Sequence, residues 1–413
     1  MLSLEGWDLL TIADVTLVNK AMAARHNQLI TTFDYDGDPL HLTGKFGIWS
    51  IRPGGSVSLL EVAIPIENAT LKGIPGHRRP LKISGVTLLA RLSLSMLPMK
   101  DNPGSQELRF DFEESAKAGD GVIGLDIEDP AETMSAAHKQ ILKTAAAACL
   151  SAHAADVSYV FASVKTRGST QGAVFDMPHH DWANIATADD RHYLAIAGAL
   201  SNKVKPLRNI DPKLIATKGG AYLAFSSRFF NERLLLPVVQ SDFRPKSKFT
   251  LKSGAVHNAR HIILGKQRKG IWTVEPIIKG LRIAAAQKAL SIQAVTTADL
   301  PLGAVLTSWY QASMKFHFDK KTQTMTFKSD PSPKERHEVS MGIVSEILIG
   351  WLIRLIVLLN GKAISKLTKG LALGMQKIAT PTVEATGWSG VRDFAVGHGV
   401  MDGAFVITDT RPV

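Results

Sequence analysis

The sequence predicts an α+β fold in which long helices are wrapped by a strongly curved antiparallel β-sheet. Three observations predict it. An apolar segment with helical spacing opens the chain, and long alternating segments fill the middle. Helical spacing then returns in the most apolar stretch, MGIVSEILIGWLIRLIVLLNGKAISKL (Met341–Leu367). Strands grouped between helices argue for α+β rather than for repeated βαβ units. All 413 residues read as one elongated unit: a helix over about 8–30, a sheet-rich middle over about 40–330, and a long helix over about 341–378.

The first helix opens at Asp8, a residue suited to an N-cap. One apolar stripe runs Leu10, Ala13, Leu17, Ala21, Ala24, and a second runs Val15, Val18, Met22. A helix apolar on two sides expects cover on two sides. Strand patterns follow at Leu42–Ile51, then a Gly54-Gly55 turn, then Leu59–Ile66. The clearest strand is VTLLARLSLSM, where Val86, Leu88, Ala90, Leu92, Leu94 and Met96 share one face. Leu108, Phe110 and Phe112 continue the alternation.

A helix is predicted over Pro130–Ala148, since Pro suits a first turn. Ser158–Val164 reads as a strand, and a polar connection bearing His and Asp runs to about Arg191. Tyr222–Leu236 reads as a helix stopped by Pro237. Met314–Lys328 reads as a hairpin, DPSPKER as a loop, and the Gly-rich tail from Gly387 as short strands.

Taken as a membrane span, Met341–Asn360 would put Glu346 and Arg354 in hydrocarbon, at roughly 2.5–3.5 kcal/mol each. The two charges fall on one polar stripe with Gly350 and Asn360, opposite Ile343, Ile347, Trp351, Leu355, Leu358 and Leu359. That pattern predicts an amphipathic helix whose apolar face is either core or the wall of a lipid-holding groove. Periodicity does not separate those two, because both bury the same residues.

Hydrophobic residues at 45% and charged residues at 21% fit a globular chain. The N-terminus has no basic n-region, so a cytoplasmic chain is expected as synthesised, with export by a non-classical route left open. A single cysteine, Cys149, forms no intrachain disulfide and sits in an Ala-rich stretch, as a small buried hydrophobe would. The net charge of +11 favours acidic partners. No run of five like charges occurs, the surplus reads as diffuse, and no nucleic-acid-binding motif is present, so no nucleic-acid partner is expected.

Chemistry-bearing motifs are sparse. DYDGDP (Asp34–Pro39) resembles a calcium loop, but Gly37 falls at position 4 and Lys45 at position 12, so a turn is the better reading. MPHHDW offers His179, His180 and Asp181 without further ligands at set spacing, so no metal is expected. G-x-S-x-G, the P-loop and a helix-opening G-x-G-x-x-G are all missing. The chain is read as a non-enzyme.

Other residues form an ordered set: Gly6-Trp7-Asp8; Val18-Asn19; G-x-F-x-x-W-x-I from Gly44 to Ile51; Gly54-Gly55-Ser56; and Pro65. Tyr159–Ala162 (YVFA) and Tyr222–Pro237, with S-x-x-F-F and L-L-L-P, extend it. Together these resemble the clostridial forty-seven-kilodalton protein family encoded beside certain botulinum neurotoxins. The resemblance runs from Gly6 to about Trp388 and is densest before Pro65. It implies the tubular lipid-binding (TULIP) superfamily, where a curved sheet wraps a helix and leaves an apolar groove for lipid tails.

Under that implication the groove falls to Leu10, Ala13, Leu17 and Ala21 from the first helix and to Ile347, Trp351 and Leu355 from the last. An anionic headgroup would take a basic cluster at the mouth. Arg78, Arg79 and Lys82 are the leading candidates, with Lys246 and Lys248, or Lys266, Arg268 and Lys269, as others. No cofactor is implied beyond a bound phospholipid or fatty acid. Expected partners are a lipid or anionic membrane surface, or the proteins of a toxin complex. The alternative is an interaction subunit with a filled, lipid-free core.

Overall fold

The computed structural model of the chain describes residues 2–99, 102–118, 123–165, 177–187, 191–201, 206–207, 212–215, 220–242, 248–285, 288–300, 303–319, 324–329, 332–340, 349–357, 386–389 and 396–409. Three large antiparallel sheets dominate it. A ten-stranded sheet is built mainly from residues 32–165, an eight-stranded sheet from 249–340, and a six-stranded sheet joins distant parts of the chain. The α+β class holds, and the sheets curl into an antiparallel half-barrel. Among the described residues helices are few and short: the longest with stated bounds, Ala136–Ala152, has 17 residues.

The expected helix over 8–30 is replaced by a strand, Leu9–Asp14, followed by a ten-residue helix, Val15–Ala24. Asp14, not Asp8, is the N-cap, accepting a hydrogen bond from the Thr16 amide at 2.7 Å. The strand lies inside the six-stranded sheet, between His192–Ala199 and Ala221–Ser226. Both its faces are buried, so its sequence LLTIAD carries no polar alternation and imitates a helical stripe.

The same cause explains Tyr222–Leu236. Its first half is the strand Ala221–Ser226, again buried on both faces. Ser226 then caps a short helical turn at Ser227–Phe229, which widens into a π-helical segment at Phe230–Leu235. Pro237 does not end the helix; Leu236–Asp242 continues it. The widened turn just before Pro237 absorbs the register that its missing N–H would break.

Two 14-residue strands, Leu59–Lys72 and Val86–Met99, form the spine of the ten-stranded sheet. Val86, Leu88, Ala90, Leu92 and Leu94 are buried as their alternation predicts. They share a core with Leu142, Ala146 and Leu150 of the helix Ala136–Ala152. That helix starts at Ser135, six residues after the carboxylate of Asp129 ends the preceding strand region by accepting from the amides of Thr133 and Met134.

The hairpin over 314–328 is present as Val305–Asp319 with Thr324–Ser329. DPSPKER is partly strand, because Lys334–Ser340 pairs along the same long strand. The polar connection before Arg191 contains a strand as well, His179–Ala186, at the edge of the six-stranded sheet. Of the helix expected over 341–378, residues 349–357 are helical and the others lie outside the described residues.

The six-stranded sheet ties the lobes together. On one face, Ala13, Leu194 and Ile196 enter the core of the ten-stranded lobe. The same face carries Leu9, Leu223, Phe225, Phe405 and Ile407 into the core of the eight-stranded lobe. Its other face, with Leu10, Ile12, Tyr193 and Tyr222, packs on Trp7, Leu207 and Leu214.

Candidate functional site

The residues expected to line one groove are distributed over several cores. Leu10 and Ala13 sit on a strand at odd separation, so they point to opposite faces. Leu10 packs with Trp7 and Tyr222, whereas Ala13 joins Val18 and Met22 in the first lobe. On the following helix Ala21 is buried and Leu17 half-buried. Ile347 lies outside the described residues. Trp351 and Leu355 flank a buried stripe made instead by Leu352 and Ile356, while Arg354 is exposed.

Aromatic rings pack against one another in both lobes. In the first, Phe33 stacks on Phe46 at 4.1 Å, and Trp49, Phe110 and Phe161 continue the contact at 6.0 and 4.8 Å. In the second, Phe405 stacks on Phe225 at 4.8 Å and on Phe230 at 4.5 Å. Of the small residues of the first stripe, Ala13 joins the first of these interiors, whereas Ala24 is exposed. An open cleft of about 520 Å³ does lie outside them, between the helix Val15–Ala24 and the strand Ser50–Ser56. Lys20, Ile48, Ile51, Arg191 and His192 are among its lining residues.

Arg78 and Arg79 are exposed on the connection before the short strand Leu81–Ile83. Lys82 is exposed on that strand and donates to the Thr70 hydroxyl at 3.0 Å. His179, His180 and Asp181 are consecutive on an edge strand, so the two histidines project to opposite faces. Among the described residues no group of three His, Cys, Asp or Glu is placed to hold a metal. Cys149 is fully buried, and burial pushes its thiol up to about 12.

The positive charge is not diffuse. Residues 243–289 hold eleven Lys and Arg against a single acidic residue, Glu275, a net +10 of the chain's +11. Spacers of up to nine residues, with Arg268 and Lys269 the one adjacent pair, hide this from any search for charge runs. Much of this segment forms one side of the eight-stranded sheet, through Phe249–Lys252, Ala255–Asn258, Ile262–Ile263 and Ile277–Ala285. A separate hairpin, Gln267–Lys269 with Trp272–Val274, belongs to the same segment. Lys248, Lys252, Arg260, Lys266, Arg268 and Lys279 are all exposed. Half-buried His257 is held below the usual imidazole range by burial and by the charges of Arg282 and Lys252.

A family model described as OrfX-like, Protein OrfX2/OrfX3/P47, matches residues 4–329. The chain belongs to this OrfX-like family. That confirms the toxin-cluster family whose resemblance the residues carry. Similar solved structures are P47 from Clostridium botulinum A2, at TM-score 0.80 and 16% identity over 99% of this chain and 98% of that one, and P47 of Clostridium botulinum E1, at TM-score 0.80 and 18% identity over 99% and 100%. A comparison with curated proteins finds no match. At these identities the structures share the fold.

Within this OrfX-like chain, the residues that carry the resemblance are joints. Asp8 of the Gly-Trp-Asp motif is buried and accepts from Arg228 Nε at 2.8 Å, from the Ser226 hydroxyl at 2.8 Å and from the Leu200 amide at 2.7 Å. Asn19 exchanges two hydrogen bonds with the backbone of Ile51, at 2.9 and 2.8 Å, locking the first helix to its neighbouring strand. Gly44 is required because a Cβ there would collide with the Asn68 carbonyl oxygen. Asn231, after S-x-x-F-F, donates to Gly254 O at 2.8 Å and accepts from the Ala285 amide at 3.2 Å, pinning the π-helical turn to the eight-stranded sheet. Sequence reasoning read these residues as a signature without seeing that they pair.

Proposed function

We propose that this OrfX-like chain is a non-enzymatic lipid-binding protein that acts as an accessory of a bacterial toxin cluster. The observation that carries the reading is the concentration of +10 net charge in residues 243–289, much of which forms one side of the eight-stranded sheet. Near an anionic membrane each Lys or Arg contributes about 1 kcal/mol, so six exposed cations suffice for reversible attachment. Acyl chains withdrawn from water would add about 0.8 kcal/mol per methylene. Family membership supports the toxin-cluster half of the proposal.

Headgroup recognition is assigned to the basic segment, with Lys266 and Arg268 at its centre, ahead of Arg78, Arg79 and Lys82. The reason is charge density: residues 243–289 carry eleven cations against Glu275 alone.

A second reading has its own support. The rings stacked on Phe405 and those packed edge-on and tilted around Phe110 favour a filled-core interaction subunit that holds no lipid tail. Organic extraction of the purified chain followed by mass spectrometry separates the two. A stoichiometric lipid supports tail binding. A clean protein that still adheres to anionic vesicles limits the function to surface attachment, and one that adheres to none leaves the interaction subunit.

A further inference from the structure

We propose that the hairpin Gln267–Val274, at one end of the eight-stranded lobe, is an interfacial anchor that inserts its tip into an anionic lipid bilayer. This rests on the lipid-binding reading and adds the contact site and its mode.

Among the described residues the two strands of the hairpin pair with each other and with no strand of the three large sheets. Its turn is made by Gly270 at φ 61°, which presents Ile271 and Trp272 at the tip. Ile271 is 81% exposed and Trp272 44% exposed. A large aliphatic side chain so open to water has no role in a core. Tryptophan beside it suits the headgroup level, where an amphipathic ring meets both environments. The foot of the hairpin is fixed, since Val274 is buried with Leu300, Leu306, Leu352 and Ile356. Tip and foot thus differ: one is free to meet a bilayer and the other is anchored in the protein.

Strand register brings further apolar surface to the same end. Ile263, 61% exposed, pairs beside Ile277, where the strand following the hairpin begins. Val339, 37% exposed, pairs with Leu306 near the start of its own long strand, and that start faces Asp299 at the end of the strand before it. Four of the seven exposed large hydrophobic residues among those described therefore share one end of one sheet.

The charges match a negative surface. Arg260, Lys266 and Arg268 flank the exposed apolar residues and are themselves exposed. Opposing them are Glu275, Asp299 and Glu338, and Glu338 is already paired with Arg336. An exposed apolar tip with cations beside it fits a bilayer better than a protein groove, because cations at headgroup depth complement the insertion of the ring.

The test uses the full chain with Ile271→Cys carrying a fluorophore whose emission reports polarity. Cys149 is fully buried, so labelling is confined to the tip. Vesicles of phosphatidylcholine alone, and with phosphatidylserine added, are offered. The proposal expects a blue shift and quenching by nitroxide-bearing lipid only with the anionic vesicles. It also expects Ile271→Asp with Trp272→Ser to weaken vesicle binding by about tenfold or more, with unchanged thermal melting. Leu97→Asp, exposed in the other lobe, should leave binding intact.

A probe that stays water-like while the chain still floats with anionic vesicles overturns the anchor and leaves the lipid reading standing. A chain that floats with no vesicle overturns both. A probe already in an apolar environment without vesicles, and concentration-dependent, assigns the tip to a second copy and overturns the anchor.

Discussion

Asp8 and Arg228, 220 residues apart, meet across the end of the six-stranded sheet, where the guanidinium binds both oxygens of a carboxylate that is 1% exposed. Asp8 stands at the start of a strand and Arg228 at the start of the helical turn that leads into the second lobe. Their pairing ties the start of that turn to the end of the central sheet. Arg228→Ala is predicted to destabilise the chain by about 3 kcal/mol, because it strands a buried charge. Chemical denaturation measures this, and a double-mutant cycle with Asp8→Asn should show strong coupling.

Asn19→Ala is predicted to cost about 1–3 kcal/mol, since it removes two hydrogen bonds and leaves the Ile51 backbone groups half-satisfied. Denaturation midpoints check it. Amide exchange at Ile51 should quicken in the same variant.

Ala13 lies in the middle strand of a sheet packed on both faces. Ala13→Leu is therefore predicted to overpack the core and lower stability by about 1–3 kcal/mol. A variant as stable as the parent, with altered lipid content, would return Ala13 to the wall of a groove.

Asp129 supplies a pH dependence. Burial opposes its ionisation, but the Met134 and Thr133 amides, the Thr133 hydroxyl and Lys139 outweigh burial and hold its carboxyl at about 2. A folded value below the ordinary 3.8 means the contribution is complete above about 4 and is lost as pH falls toward about 2. Asp129→Asn should be less stable than the parent at neutral pH, and the gap should close across that acid window. Thermal melts at stepped pH measure it.

Much of the fold was legible because amphipathic strands advertise themselves. Val86–Met99 alternates a buried and a wetter face, and period two needs no partner to be seen. Leu9–Asp14 and Ala221–Ser226 were misread for the opposite reason. Buried on both faces, they lack alternation, and short apolar runs do not distinguish strand from helix. The signal available was local: Thr11 and Ile12 are β-branched, and Asp14 with Thr16 is a helix start.

The candidate site was harder to read. Lys266, Arg268 and Lys269 looked like one more surface cluster. Their significance depends on the near absence of carboxylates over 47 residues, which is countable, and on Ile263 and Val339 reaching the same end, which is not. Only the pairing of strands far apart in sequence brings those two together.

The central claim is attachment to anionic lipid through the basic end of the second lobe. Flotation of the full chain with phosphatidylcholine vesicles, with and without phosphatidylserine, over a salt series tests it most directly. The account predicts binding only to the anionic vesicles, weakening steeply as salt rises. Equal partition to neutral and anionic vesicles, or none to either, would contradict it.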